Sequence, residues 1–153
     1  MKTESIIIGI LAILICALPF IIQFRTRRKK EKNLFQSILK ISNQNGCKIT
    51  EHEFCGDFII GFDEVRKFIF FFKLKNGQEV SQFVDLSKIQ SCYDIKNKHQ
   101  IMEHIFLCFT YKNRNQNDTK FELYDAEVNL QLSGEFQLVD KWVNKVNEVL
   151  KNS

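Results

Sequence analysis

RKFIFFFKLKNGQEVSQFV, residues 66–84, decides the architecture of this chain. Its first half alternates with a period of two. Phe68, Phe70, Phe72 and Leu74 fill one face of a strand, and Ile69 and Phe71 occupy part of the other. Asn76-Gly77 follows, and both central positions of a type I′ turn need positive φ, so the dipeptide folds residues 66–75 onto 78–84 as a hairpin.

The same alternation extends on both sides. Upstream, residues 48–54 predict a first strand, Cys55-Gly56-Asp57 a tight turn, and residues 58–62 a second strand with Phe58, Ile60 and Phe62 on one face; Asp63-Glu64 turns the chain again. Downstream, Asp85-Leu86-Ser87 leads to a strand over 88–96, and residues 97–100 turn the chain into a strand over 101–112. There Ile101, Ile105, Leu107, Phe109 and Tyr111 share a face while Met102, His104, Phe106 and Cys108 line the other, which predicts a central strand covered on both sides. A polar loop over 113–118 precedes a strand over 119–125, after which Val128, Leu130 and Leu132 alternate in a short extended segment. Ser133 or Gly134 then caps a C-terminal helix in which Leu138, Val139, Trp142, Val143, Val146, Val149 and Leu150 keep helical spacing. Trp142 is expected to clamp that helix to the sheet.

Before the strands the chain is helical. Leu34, Phe35, Ile38, Leu39 and Ile41 recur at three- and four-residue spacing over 31–43, and Gly46 suits a left-handed cap. Ahead of it, residues 6–22 run without charge, inside a stretch (5–24) whose twenty helical residues reach ~30 Å, the hydrocarbon thickness of a bilayer. A kink is expected at Pro19. Arg25, Arg27, Arg28, Lys29, Lys30 and Lys32 follow at once. A cleaved leader carries its basic residues before the apolar core, so the reversed order here predicts a retained anchor. Six basic residues after the span against Lys2 before it place the N-terminus outside and residues 25–153 in the cytoplasm of a cell with an inner membrane.

The net charge of +4 belongs to this strip. Residues 25–32 are net +5 and residues 1–4 neutral, leaving −1 for residues 33–153, so the folded part lacks the basic face a nucleic-acid binder requires. Contact of the strip with an anionic leaflet is worth ~1 kcal/mol per basic residue near the surface. Of the five cysteines, Cys16 lies in the span, and Cys47, Cys55, Cys92 and Cys108 fall where thiols stay reduced. Cys47, His52 and Cys55 lack the paired spacing of a structural zinc site, and Cys108 reads as a small buried hydrophobe. No nucleophile motif, glycine-rich phosphate loop or metal-binding pair is present, so no cofactor and no metal are expected. His104 beside Glu103 makes no dyad, because adjacent strand residues point to opposite faces.

About seven locally connected antiparallel strands followed by one helix bearing a tryptophan resemble a pleckstrin-homology-like barrel, giving an α+β chain of three parts: span (5–24), basic strip and amphipathic helix (25–46), and PH-like cytoplasmic domain (47–151). Cys47-Lys48-Ile49-Thr50, Ile60-Gly61-Phe62-Asp63, Val84-Asp85-Leu86-Ser87-Lys88-Ile89 and the stretch from Gly134-Glu135 to Trp142 are similar to a group of small uncharacterised bacterial single-span membrane proteins, a resemblance that brings no activity with it. Phosphoinositide sites of the pleckstrin family rest on basic residues around the first hairpin loop. Here that loop is the short, acidic Cys55-Gly56-Asp57, which argues against inositol-phosphate recognition, and Lys67, Lys73 and Lys75 are expected to solvate strand edges. The functional expectation is a membrane-tethered protein-interaction or scaffolding module whose partners are the bilayer and a protein, not nucleic acid. An enzyme acting at the membrane surface and a lipid sensor are the competing classes.

Overall fold

The computed structural model describes residues 2–96, 104–129 and 131–152, with the backbone alone for residues 2, 4 and 5. It divides into two compact units, Met1–Asn33 and Leu34–Ser153. Helix α1 (Lys2–Gln44) runs through Pro19, and the chain leaves it at Gly46, whose φ of +67° is the expected left-handed exit.

Within the second unit, β1 (Glu51–Cys55), β2 (Phe58–Asp63), β3 (Phe68–Lys75) and β4 (Gln78–Asp85) form an antiparallel sheet in that order, and β5 (Ile89–Lys96), β6 (His104–Tyr111) and β7 (Thr119–Asp125) form a second. Asn76 (φ +51°) and Gly77 (φ +77°) make the predicted turn between β3 and β4. Helix α2 (Glu135–Lys151) packs on the second sheet, mostly against β5 and β6. The architecture is α+β with seven strands among the described residues, in line with the expected number. No backbone ladder joins the two sheets among the described residues, so strand pairing leaves the expected barrel unclosed. Side chains bridge the sheets instead: the Phe71 ring of β3 stacks on Phe121 of β7 at 5.0 Å, and Phe121 meets Phe109 of β6 edge-on at 4.9 Å.

Alternation in β3 builds two cores. Ile69 and Phe71 join Phe58, Ile60, Leu107, Phe109, Leu123, Val139 and the fully buried Trp142 in the main one. Phe70 and Phe72 face the other way and pack with Ile59, Cys47, Leu34 and Ile38, so the last turns of α1 roof the outer face of the first sheet. Gly61 permits the close approach. A Cβ there would stand 2.9 Å from the terminal methyls of both Ile38 and Ile49.

Several boundaries differ from the sequence reading. The first strand begins at Glu51, and Lys48 is held by a side chain instead, its N–H donating 2.7 Å to Asp63 Oδ2. Asp85-Leu86-Ser87 enters a 3-10 turn (Leu86–Lys88) capped by the Asp85 carboxylate. Val128 is in a turn rather than a strand, because its N–H and that of Asn129 both return to the Asp125 carbonyl; Leu130 lies outside the described residues, as do 97–103 and the turn and strand start expected there. The second face of β6 is only half covered: Cys108 is buried, but His104 and Phe106 are partly exposed. Gly134, not Ser133, caps α2, and the Glu135 carboxylate accepts the Ser133 N–H.

Trp142→Ala is expected to cost ~3–5 kcal/mol through lost burial and the cavity left. Since Trp142 is the single tryptophan, the melt is followed by far-ultraviolet circular dichroism of the full chain in detergent. An unshifted midpoint would show that α2 is not part of the core.

Asp63 supplies a pH test. Its carboxylate accepts N–H bonds from Lys48, Val65 and Arg66. Burial alone would raise its pKa, but those three bonds outweigh burial and hold it below the usual carboxylate value. A depressed folded pKa stabilises above the unfolded value of ~3.9 and stops doing so as pH falls through the folded value. Asp63→Asn should therefore be less stable at neutral pH by about 1–3 kcal/mol, with the gap narrowing in acid. A gap constant from neutral to acid pH would contradict the carboxylate's role.

Candidate functional site

The sequence-predicted contact residues lie in the first unit. Arg25, Arg27, Arg28, Lys29, Lys30 and Lys32 are all exposed on α1. Eight helical residues make about two turns, ~12 Å, so the six cations surround the helix over the depth of a headgroup layer. Arg27 Nε pairs with Glu31 Oε1 at 3.1 Å, and the Arg28 guanidinium lies 4.3 Å from the Phe24 ring centroid, drawing its stem back along the apolar segment. Above the strip, the large apolar side chains between Ile6 and Phe24 are 48–73 % exposed around the whole helix, which is long and apolar enough to cross a membrane.

A second constellation lies in the other unit and escaped the sequence reading. Lys73, expected at a strand edge, is instead 1 % exposed, and its ammonium donates 3.2 Å to the Glu122 carbonyl of β7. Lys75 stays partly exposed but is paired: its Nζ bridges Glu122 Oε2 and Asp125 Oδ2 at 2.8 Å each, which raises its pKa through the bonds to Asp125 and then Glu122. Burial would raise the Asp125 carboxyl, but the Lys75 bond and the Glu127 N–H keep it below its ordinary value. His104 of β6 completes the group, its Nδ1 standing 3.7 Å from Glu122 Oε1 and 3.8 Å from Asp125 Oδ1.

A break in the strand register assembles this group. His104 pairs with Asp125 and Ile105 with Tyr124, but Phe106 pairs with Glu122, so Leu123 is the extra residue of a bulge. Strict alternation puts residues 122 and 125 on opposite faces. With the bulge, Phe121, Leu123 and Tyr124 all enter the main core, and Glu122 and Asp125 share the face of His104.

Other sequence-singled residues are dispersed. Cys47 and Cys55 belong to different cores on opposite faces of the first sheet, and His52 packs between the rings of Phe35 and Phe54. Cys108 is fully buried as expected, and burial pushes its thiol up to about 11 and that of Cys92 up to about 12, holding both protonated. Lys67 takes a left-handed backbone (φ +58°) and is partly exposed, while His99 and Glu103 lie outside the described residues.

No protein-family model, no curated protein and no solved structure matches this chain.

Lys75→Met keeps the stem but leaves Asp125, 5 % exposed, without its cation. Breaking a buried pair costs about 3–5 kcal/mol; because Lys75 is 33 % exposed, ~1–3 kcal/mol is expected, read from denaturation followed by Trp142 fluorescence. Unchanged stability would mean the cluster carries no structural load.

Proposed function

We propose that this chain is a membrane-tethered interaction module. The observation that carries the reading is the first unit's helix, apolar on every side with no protein cover, followed directly by six exposed cations. Such a helix is costly in water and satisfied in lipid, where its backbone bonds are internal and its side chains meet acyl chains. The basic strip then sits among the headgroups and selects the orientation, N-terminus outside and residues 25–153 in the cytoplasm of a single-pass inner-membrane protein. Four strands, three strands and a buried C-terminal tryptophan helix support a PH-like reading of the domain.

A partner-binding role is supported by the first sheet's outer strand. β4 pairs with β3 alone among the described residues, and Phe83 on it is exposed at the end of an aromatic row with Phe70 and Phe68, 6.0 and 6.4 Å away. An extended peptide can add to such an edge through backbone bonds while an aromatic anchors it.

The test has two arms. A C-terminal reporter active only in the cytoplasm should be active, and replacing the six basic residues with Gln should scramble its orientation; an outside reporter in the unaltered chain would refute the tether's polarity. Capture from detergent-solubilised membranes should yield a partner that Phe83→Glu loses, and equal capture by the two would refute the β4 surface.

A further inference from the structure

We propose that His104, Glu122 and Asp125 form a binding site for a divalent transition-metal cation of the zinc class. The inference is independent of the membrane reading. Each carboxylate uses one oxygen on Lys75, Oε2 of Glu122 and Oδ2 of Asp125, and turns the other, Oε1 or Oδ1, toward His104. At 3.7 and 3.8 Å these oxygens are too far for hydrogen bonds. His104 Nδ1 is itself buried from solvent and finds no partner among the described residues. An imidazole nitrogen and two carboxylate oxygens thus converge without bonding one another.

The spacing suits a cation between them. Zinc–nitrogen and zinc–oxygen bonds of ~2.0–2.2 Å at tetrahedral angles place neighbouring donors ~3.3–3.5 Å apart, so the two separations from the imidazole to the carboxylate oxygens, 3.7 and 3.8 Å, close with shifts of a few tenths of an ångström. Donor atoms from all three residues lie within 4.8 Å of one another. The outer contacts are those that orient ligating carboxylates: Lys75 holds both, and the Glu127 N–H bonds Asp125 Oδ1 at 3.0 Å, leaving a second lone pair on that oxygen. Lys73, 3.9 Å from Glu122 Oε2, adds a second cation nearby, so Lys73 and Lys75 balance the two carboxylates and the site attracts metal through donor geometry more than through net charge. One imidazole with two carboxylates selects zinc or a neighbouring first-row ion over thiolate-seeking copper(I) or all-oxygen calcium, and leaves a coordination position for water or a ligand. The bulge at Leu123 is the structural device that creates the donor set.

The test uses the full chain in detergent micelles, titrated with Co²⁺ as the spectroscopic probe and then with Zn²⁺. Expected are visible d–d bands that saturate at one equivalent and are displaced by Zn²⁺, with affinity lowered at least about tenfold in both His104→Gln and Glu122→Gln. Metal-free melts of each variant identify any that fails to fold, in which case the other variant and the unaltered chain decide. Absence of saturable binding below millimolar metal, or affinity unchanged in a folded variant, would overturn the assignment.

Discussion

The burial of β3 on both faces is the constraint on which the folded unit depends. A strand whose successive residues are Phe68, Ile69, Phe70, Phe71 and Phe72 has no face it can leave in water, so two layers must cover it. The second sheet supplies one, through the stack of Phe71 on Phe121 and Phe109, with α2 and Trp142 behind it. The end of α1 supplies the other, through Leu34 and Ile38 lying over Ile59, Phe70 and Phe72. Residues 34–44 are therefore part of the domain's fold, and Gly61 leaves the space that the Ile38 side chain of that helix fills against the sheet.

Covering the inner face leaves a polar problem that the structure resolves with charge. Lys73 continues the inward parity of Ile69 and Phe71, so its stem is buried with them and its ammonium needs an acceptor at the margin of the core. The Glu122 carbonyl provides it, and Lys75, Glu122, Asp125 and His104 gather around the same place. Pairing is the condition for charges at this depth, since an unpaired one would carry the full cost of desolvation. Lys141 and Lys145 of α2 pair with Glu53 and Glu51 of β1, so the helix also meets the first sheet through partly exposed ion pairs.

The two units are patterned in opposite ways. In Met1–Asn33 the large apolar side chains from Ile6 to Phe24 point outward on all sides, and every cation but Lys2 belongs to the block at 25–32. In Leu34–Ser153 apolar side chains turn inward and charge is spread in pairs. That contrast of patterning, more than any motif, underlies the reading of a lipid-held anchor bearing a water-facing module.

What the sequence by itself determined was local: the hairpin at Asn76-Gly77, the order of seven strands, the helix at 135–151 with its tryptophan, and the apolar segment with its basic flank. Each is written in neighbouring residues, as a turn that needs positive φ, a period of two or of 3.6, or an uninterrupted apolar run. Only the tertiary structure decided which layer covers which face of β3, that the sheets meet through side chains with no closing ladder among the described residues, that Lys73 leaves solvent and that Lys75 pairs with two carboxylates. It alone also brought His104, Glu122 and Asp125 together. The physical reason is the bulge at Leu123: one extra residue reverses the alternation that sequence reading assumes, and whether it forms depends on Leu123 and Tyr124 both being drawn into a core that exists only once the strands have paired.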